Sequence, residues 1–321
     1  MRIVSSLLIF VLNGCGDKKA RNGPPNPIQT DEGLKESETN AYFNSPPTTS
    51  TKKPADTERS KPPTPATLSG GNGGAISKQL AGYGEIFELG RGSAAQVFSA
   101  RRKSDGLEVA IKRNGNIGKG EREVEALNSV SHFDKFPKVF ESFTNGGAHY
   151  IVQTRLGPTV VDIKKRYGDK ALSLSLVGAI ALQMVDRMEQ LHSVGFVHLD
   201  MYPNNIAFEL PAMKHIYLID FGEALPLGKT RDEKTKQFDV RSLSHSVLQL
   251  LKPHTIFGDY KHFEDARISL AEMCAGLPHS VLKLFRYSHE SMGVSDEPDY
   301  QYIRTILREE LNPGYTGVII L

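Results

Sequence analysis

From about Tyr83 onward, apolar residues fall into short runs bounded by polar turns. GEIFELG (84–90), QVFSARR (96–102) and VAIK (109–112) carry β-branched and aromatic residues and are predicted to be strands. HYIVQ (149–153) and HIYLID (215–220) read the same way further along. Elsewhere the period lengthens. VGAIALQMVDRMEQLHSVG (177–195) places apolar residues three and four apart, the spacing of one face of a helix, and DVRSLSHSVLQLLK (239–252) does so again. GEREVEALNSVSH (120–132) is a further helical segment. Strands therefore come early and helices late, without an internal repeat, which predicts an α+β domain with a β-rich first part and a mainly helical second part.

Ahead of Tyr83 the pattern stops. Residues 17–75 hold nine of the chain's eighteen prolines among Ser, Thr, Lys and Gly. Stretches such as PPTTSTKKP bury too little apolar surface to offset chain entropy, so a disordered linker with some polyproline character is expected. Residues 1–16 place Arg2 before an apolar run, Ile3–Leu12, and then the small residues Gly14, Cys15 and Gly16. That is the layout of a secretory signal peptide, and the run is too short to span a bilayer. LNGC also loosely matches a bacterial lipoprotein box, with Cys15 as the lipidated residue. A secretory route is expected on this reading; a cytoplasmic chain with an ordinary apolar start is the alternative.

Composition removes several classes of function. Among 321 residues, 39 basic and 37 acidic side chains give a net charge of +2, so there is no electrostatic case for nucleic acid. A membrane would be met only through the N-terminal signal or a lipid anchor. Two cysteines, Cys15 and Cys274, make neither a disulfide framework nor a zinc site. His192, His245, His254 and His262 lack metal-ligand spacing and are expected in the core or on the surface. KTRDEKTK (229–236) reads as a solvated loop.

The chemistry lies in four motifs. LGRGSAAQVFSA (89–100) sits between two strands, where Gly90 and Gly92 let a backbone approach phosphates without a Cβ clash. Ala95 takes the third glycine position and Val97 the terminal valine of the G-x-G-x-x-G-x-V loop found in protein kinases. Val109-Ala110-Ile111-Lys112 follows, with Lys112 twenty residues past Gly92, where a kinase lysine holds the α- and β-phosphates of ATP and pairs with a helix glutamate. His198-Leu199-Asp200 with Asn205 five residues beyond Asp200 matches the catalytic loop: Asp200 as base toward the acceptor hydroxyl, Asn205 as magnesium ligand. Fifteen residues after Asn205, Asp220-Phe221-Gly222 supplies the second magnesium ligand, Asp220.

Two further stretches resemble the casein kinase I superfamily, which includes vaccinia-related and tau-tubulin kinases. HYIVQTRLGPTVVDIKKRYG (149–168) resembles its hinge, typically LLGPSLEDL, and EPDYQYIRTILRE (297–309) resembles its PDYxYLRxLF segment. The resemblance spans about Tyr83 to Leu311. It implies a bilobal fold over 83–312, with an N-lobe of about 83–155, a C-lobe of about 156–312 and a tail of 313–321. It implies ATP and Mg2+ as cofactors and a protein serine or threonine as acceptor. By this match Glu123, rather than Glu121 or Glu125, pairs with Lys112. Gln153 is the gatekeeper, Thr154, Arg155 and Leu156 meet the adenine, and Leu89, Gly90, Arg91, Gly92, Ser93, Val97 and Ala110 complete the nucleotide pocket. His198, Phe221 and Gly222 support the site, and Asp239 anchors the catalytic loop from its helix.

Three departures stand against the family pattern. Leu199 replaces the loop arginine. Tyr202 stands where serine/threonine kinases carry a lysine beside the γ-phosphate, and Asn204 stands where many tyrosine kinases carry an arginine. Only EALPLGKTRDEKTKQF (223–238) separates Gly222 from Asp239, so the activation segment is short and the peptide platform largely missing. An active kinase and a nucleotide-binding pseudokinase acting as a scaffold both remain open, as does a phosphotransferase acting on something other than protein.

Overall fold

The computed structural model describes residues 80–92, 95–228, 236–252, 269–293 and 297–321. The expected leader (1–16), the linker (17–75), Ser93, His254, His262 and most of KTRDEKTK lie outside these described residues.

The early apolar runs form an antiparallel five-stranded sheet, ordered β1-β2-β3-β5-β4. Its strands are β1 (Tyr83–Arg91), β2 (Ala95–Arg102), β3 (Glu108–Asn114), β4 (Val139–Asn145) and β5 (Ala148–Thr154). Side chains alternate across a strand, and the two faces of this sheet take different tasks. Phe98 and Ala100 of β2, Val109 and Ile111 of β3 and Tyr150 and Val152 of β5 bury together on one face. Ala110 and Lys112 are out of phase with that set. The register places Val97 opposite Lys112 and Gln153 opposite Ala110, so these four share the other face.

Helix α1 (Ile117–Ser129) starts at Asn116, whose side chain accepts from the Lys119 N–H. It lies close to β5 because of Gly120: a Cβ there would stand 2.7 Å from the Cβ of His149. Its inner residues Ala126 and Leu127 join the larger core, not the sheet's own.

The second part of the chain is mainly helical, as its pattern predicts. Helix α2 (Val160–Arg166) opens with a capping box between Thr159 and Asp162. Helix α3 (Leu174–Ser193) is buried over most of its length, and α4 (Lys236–Leu251) packs beside it. Short strands β6 (Phe196–Val197), β7 (Ile206–Phe208), β8 (Ile216–Leu218) and β9 (Leu225–Pro226) lie between them in two small antiparallel sheets. Helices α5 (Leu270–Met273), α6 (His279–Arg286) and α7 (Tyr300–Glu310) follow. Full burial of a Leu, Ile or Phe is worth about 1.5–3 kcal/mol, and α3, α4, α6 and α7 all contribute such residues to one cluster. The C-terminal GVIIL, open in sequence between packing and hanging free, packs at Ile319, whose N–H donates to the Lys214 carbonyl at 2.8 Å. Among the described residues no helix is long and apolar enough to cross a membrane.

The result is the α+β bilobal kinase fold that the sequence leads one to expect, with β4, the helices α2, α5, α6 and α7 and the short strands β6, β7 and β9 added to the elements read from periodicity.

Candidate active site

Lys112 stands at the centre of the cleft. Its Nζ donates to Glu123 at 2.8 Å and to Asp220 at 2.7 Å. The Lys112 and Glu123 side chains are 5% and 1% exposed, while that of Asp220 is 47% exposed. One ammonium thus serves two carboxylates. Burial opposes the Lys112 charge, but Glu123 and Asp220 outweigh it and hold the ammonium above the ordinary lysine range. Burial would raise the Asp220 carboxyl; Lys112 overcomes that and holds it low. Glu123 is pushed up by burial, with Lys112 opposing. Of the three helix glutamates weighed in sequence, the structure brings Glu123 to the lysine.

The catalytic loop is clamped from α4. Asp239 is fully buried and accepts the backbone N–H of His198 and of Leu199, each at 2.8 Å. The Leu199 backbone is left-handed (φ 65°), a strained conformation for a leucine that the clamp supports. His192 Nε2 lies 2.9 Å from the same carboxylate, and its Nδ1 lies 2.7 Å from the Tyr300 hydroxyl. The PDYQY stretch is thereby joined to the catalytic loop. Burial alone would raise the Asp239 carboxyl, but the His192 hydrogen bond and the surrounding donors hold it low. Ser246, two turns along α4, donates to the Met201 carbonyl at 2.9 Å.

Asp200 has one side-chain partner among these bonds. Asn205 Nδ2 donates to its Oδ2 at 2.7 Å and to its carbonyl at 2.9 Å. Burial pushes the Asp200 carboxyl up to about 6, against the Asn205 hydrogen bond, with Asp220 and Glu223 adding to the rise. Asn204 donates to Asn205 Oδ1 at 3.0 Å. His198 supports the turn: the Asp200 N–H donates to its Nδ1 at 3.2 Å, and its Nε2 lies 3.2 Å from the Ile219 carbonyl. Burial holds this imidazole below the usual histidine range. Phe221 is fully buried, edge-on to His198 at 4.7 Å and 6.1 Å from Phe136. Gly222 N–H turns back to Asp220 Oδ1 at 3.4 Å, and Asp220 itself is left-handed (φ 63°).

The roof and the hinge complete the cleft. Neither Gly90 nor Gly92 has a positive φ, and an added Cβ would meet nothing within 4 Å at Gly90 and only the Ala95 carbonyl, at 3.7 Å, at Gly92. Folding alone does not demand glycine at either position, which fits a loop kept slim for a ligand. Leu89 is an exposed apolar side chain on β1, and Arg91 is tied to Glu88 at 2.9 Å. Gln153 is buried with its Oε1 lacking a hydrogen-bond partner among the described residues. Thr154 N–H already donates to the Lys138 carbonyl at 3.1 Å, and the Arg155 guanidinium folds back onto the Leu156 carbonyl. Burial lowers the Arg155 pKa.

One contact was not visible in the sequence. Lys119, one turn before Glu123 on α1, forms an ion pair with Glu223, the residue after Gly222. No motif marks either residue; only the i, i+4 relation of Lys119 to Glu123 would have placed it on the cleft side.

The slim glycine loop, the shared lysine, the clamped loop with its raised carboxyl and the half-exposed Asp220 meet in one cleft of the kinase fold. Residues 83–248 match the protein kinase domain family, and the chain belongs to that family. Individual relatives point to its branch. The chain is 31% identical over 43% of its length to the casein kinase 1-like protein HD16 of Oryza sativa subsp. japonica, covering 22% of that protein. It is 23% identical over 68% of its length to casein kinase I homolog 3 of Schizosaccharomyces pombe, covering 60% of it. It is also 29% identical over 56% of its length to the interferon-induced, double-stranded RNA-activated protein kinase of Mus musculus, covering 36% of that chain. The two casein kinase relatives, together with the hinge and PDYQY segments, support a divergent member of the casein kinase I group within that family, and the chain spans less than two thirds of each of the three relatives.

Proposed function

We propose that the chain is an active protein kinase directed at serine or threonine hydroxyls. The observation that carries this reading is Lys112 bridging Glu123 and Asp220 while Asp200, beside Asn205, keeps a carboxyl raised to about 6. A base poised near the working pH is what proton removal from a hydroxyl requires. The acceptor's proton passes to the Asp200 carboxylate, its oxygen bonds to the γ-phosphorus, and the bond to the bridging oxygen breaks to release ADP. Lys112 orients the phosphates, and the slim loop at Gly90 and Gly92 lies over them. Ala110, Val97, Leu89, Gln153 and the 154–156 hinge receive the adenine.

The cleft suits a hard divalent cation, because one ammonium between two carboxylates leaves negative charge at the half-exposed Asp220. Asp220 and Asn205 would hold Mg2+, which supplies charge neutralisation on the phosphates.

A second reading, a nucleotide-binding pseudokinase, is favoured by Tyr202 in place of the phosphate-side lysine. Two assays on one sample separate the readings: thermal stability with and without Mg-ATP, and transfer of labelled γ-phosphate to a serine/threonine peptide library. The active reading expects both a shift and transfer. A shift without transfer supports the pseudokinase, and neither would overturn the nucleotide site.

A further inference from the structure

The C-lobe carries an open cavity of about 510 Å³ to which the proposed chemistry gives no task. Lys112, Asp200 and Asp220 take no part in its lining. Lys135 reaches it from the loop before β4, Arg187 and Asp186 from α3, His215 from the turn before β8, Arg308 from the end of α7 and Tyr315 from the C-terminal tail.

In the lining itself, cations outnumber carboxylates. Asp186, the one carboxylate in the lining, is already engaged by Arg304, whose Nη2 and Nε donate to it at 2.8 and 3.1 Å. Glu209 meets Lys135 from outside the lining at 3.1 Å. Among the described residues, no carboxylate lies within ion-pair distance of Arg187 or Arg308.

Arg187 is the telling member, because it is only 8% exposed. Its Nη1 donates to the Asp134 carbonyl at 3.0 Å and to Gln190 at 2.7 Å, and its guanidinium carbon lies 5.9 Å from the centre of the Phe136 ring. These contacts leave Nε with no acceptor, and the carboxylates of Asp186 and Asp134 act on the charge only from beyond ion-pair distance. Burial pulls the Arg187 guanidinium below its ordinary pKa. Burial also lowers His215, and the positive charges of Lys135, Arg187 and Lys214 push the same way against Glu209. Burying a cation without a partner is costly, so an electropositive recess of this kind suits a ligand that brings the missing charge. Guanidinium groups match the oxygens of a tetrahedral anion.

We propose that this cavity is an anion site for a phosphate monoester or inorganic phosphate, held by Arg187, Arg308 and Lys135. A water molecule claims about 30 Å³, so the cavity has space for a phosphoryl group together with a peptide side chain that carries it. The site stands apart from the nucleotide cleft and does not depend on the chain being an active enzyme.

Calorimetric titration of the full chain tests this at physiological ionic strength with Mg-ADP saturating the cleft. The probes are inorganic phosphate, a phosphoserine peptide and the same peptide unphosphorylated. Expected is saturable binding of the phosphorylated probes alone, weakened about tenfold or more in Arg308→Gln and in Arg187→Gln. Arg308 is exposed, so its variant keeps the fold if Arg187→Gln does not. Tighter binding of the phosphopeptide than of phosphate assigns the site to a protein-borne phosphate, and equal binding assigns it to the free anion. No binding, equal binding of the unphosphorylated peptide, or affinity unchanged in both variants would overturn the proposal.

Discussion

Asp239 and Asp220 flank the same catalytic loop and are treated in opposite ways. Asp239 is completely buried and held by three donors: two backbone N–H groups and a histidine share its two oxygens. Asp220 is 47% exposed and held by a lysine that it shares with Glu123. A carboxylate closed off from solvent and held by three protein donors serves to hold structure. One left half open retains capacity for a metal or a substrate. Asp200 lies between the two cases, mostly buried but bonded through its side chain to Asn205, and burial raises its carboxyl against that single bond.

The largest effect that would break this contrast is on stability. Asp239→Ala strands two buried N–H groups and His192, and should cost about 3–5 kcal/mol. Urea denaturation of the full chain measures it, and a loss no greater than that of Asp220→Ala would erase the distinction. The pH dependence has a definite sign. The Asp239 carboxyl is held below its usual value, so its contribution is complete above about pH 4 and is lost as pH falls through the lower folded value.

Next comes Asp200→Asn, which should slow transfer by about two to four orders of magnitude while leaving the Mg-ATP thermal shift in place. In the parent chain, turnover should fall on the acid side with a midpoint near 6, the value to which burial raises this carboxyl. The sign for stability is opposite to that of Asp239. A raised carboxyl favours the protonated folded state, so its contribution is full below about pH 4 and is lost as pH rises through about 6, and Asp200→Asn should be slightly stabilising at pH 8. A midpoint near 4 would mean that Asp200 is not the titrating base.

Tyr202→Lys should raise turnover about tenfold, or about 1.4 kcal/mol of barrier, with little change in nucleotide affinity. A cation beside the transferring phosphoryl acts mainly in the transition state. Single-turnover rates decide it, and an unchanged rate would show that charge is supplied elsewhere. Smallest is the Lys119–Glu223 pair, partly exposed on both sides. Glu223→Gln should cost no more than about 1 kcal/mol of stability and, by loosening α1 from the turn after Asp220, reduce turnover more than it reduces stability.

Lys112, Asp200, Asn205 and Asp220 were legible in the sequence because phosphoryl transfer dictates both their residue types and their spacing. The strands and long helices were legible because burial on one face imposes a period of two or of about 3.6. Glu123 needed a family resemblance, since three glutamates share one helix and only packing, set partly by Gly120 against His149, decides which turns inward. His192 carries no metal-ligand spacing and is expected in the core or on the surface; it is buried. Its bond to Asp239 is a contact across 47 residues, which no local pattern encodes. The cationic cavity was missed for the same reason: its residues are scattered from Lys135 to Gly317 and meet only in three dimensions.

Single-turnover transfer of labelled γ-phosphate from Mg-ATP to serine/threonine peptides, in the parent chain and in Asp220→Asn, tests the central claim most directly. Expected is magnesium-dependent transfer in the parent and its loss in Asp220→Asn, with the variant's urea stability within about 1 kcal/mol of the parent. Transfer that survives Asp220→Asn, or a parent chain that binds Mg-ATP and transfers nothing, would contradict it.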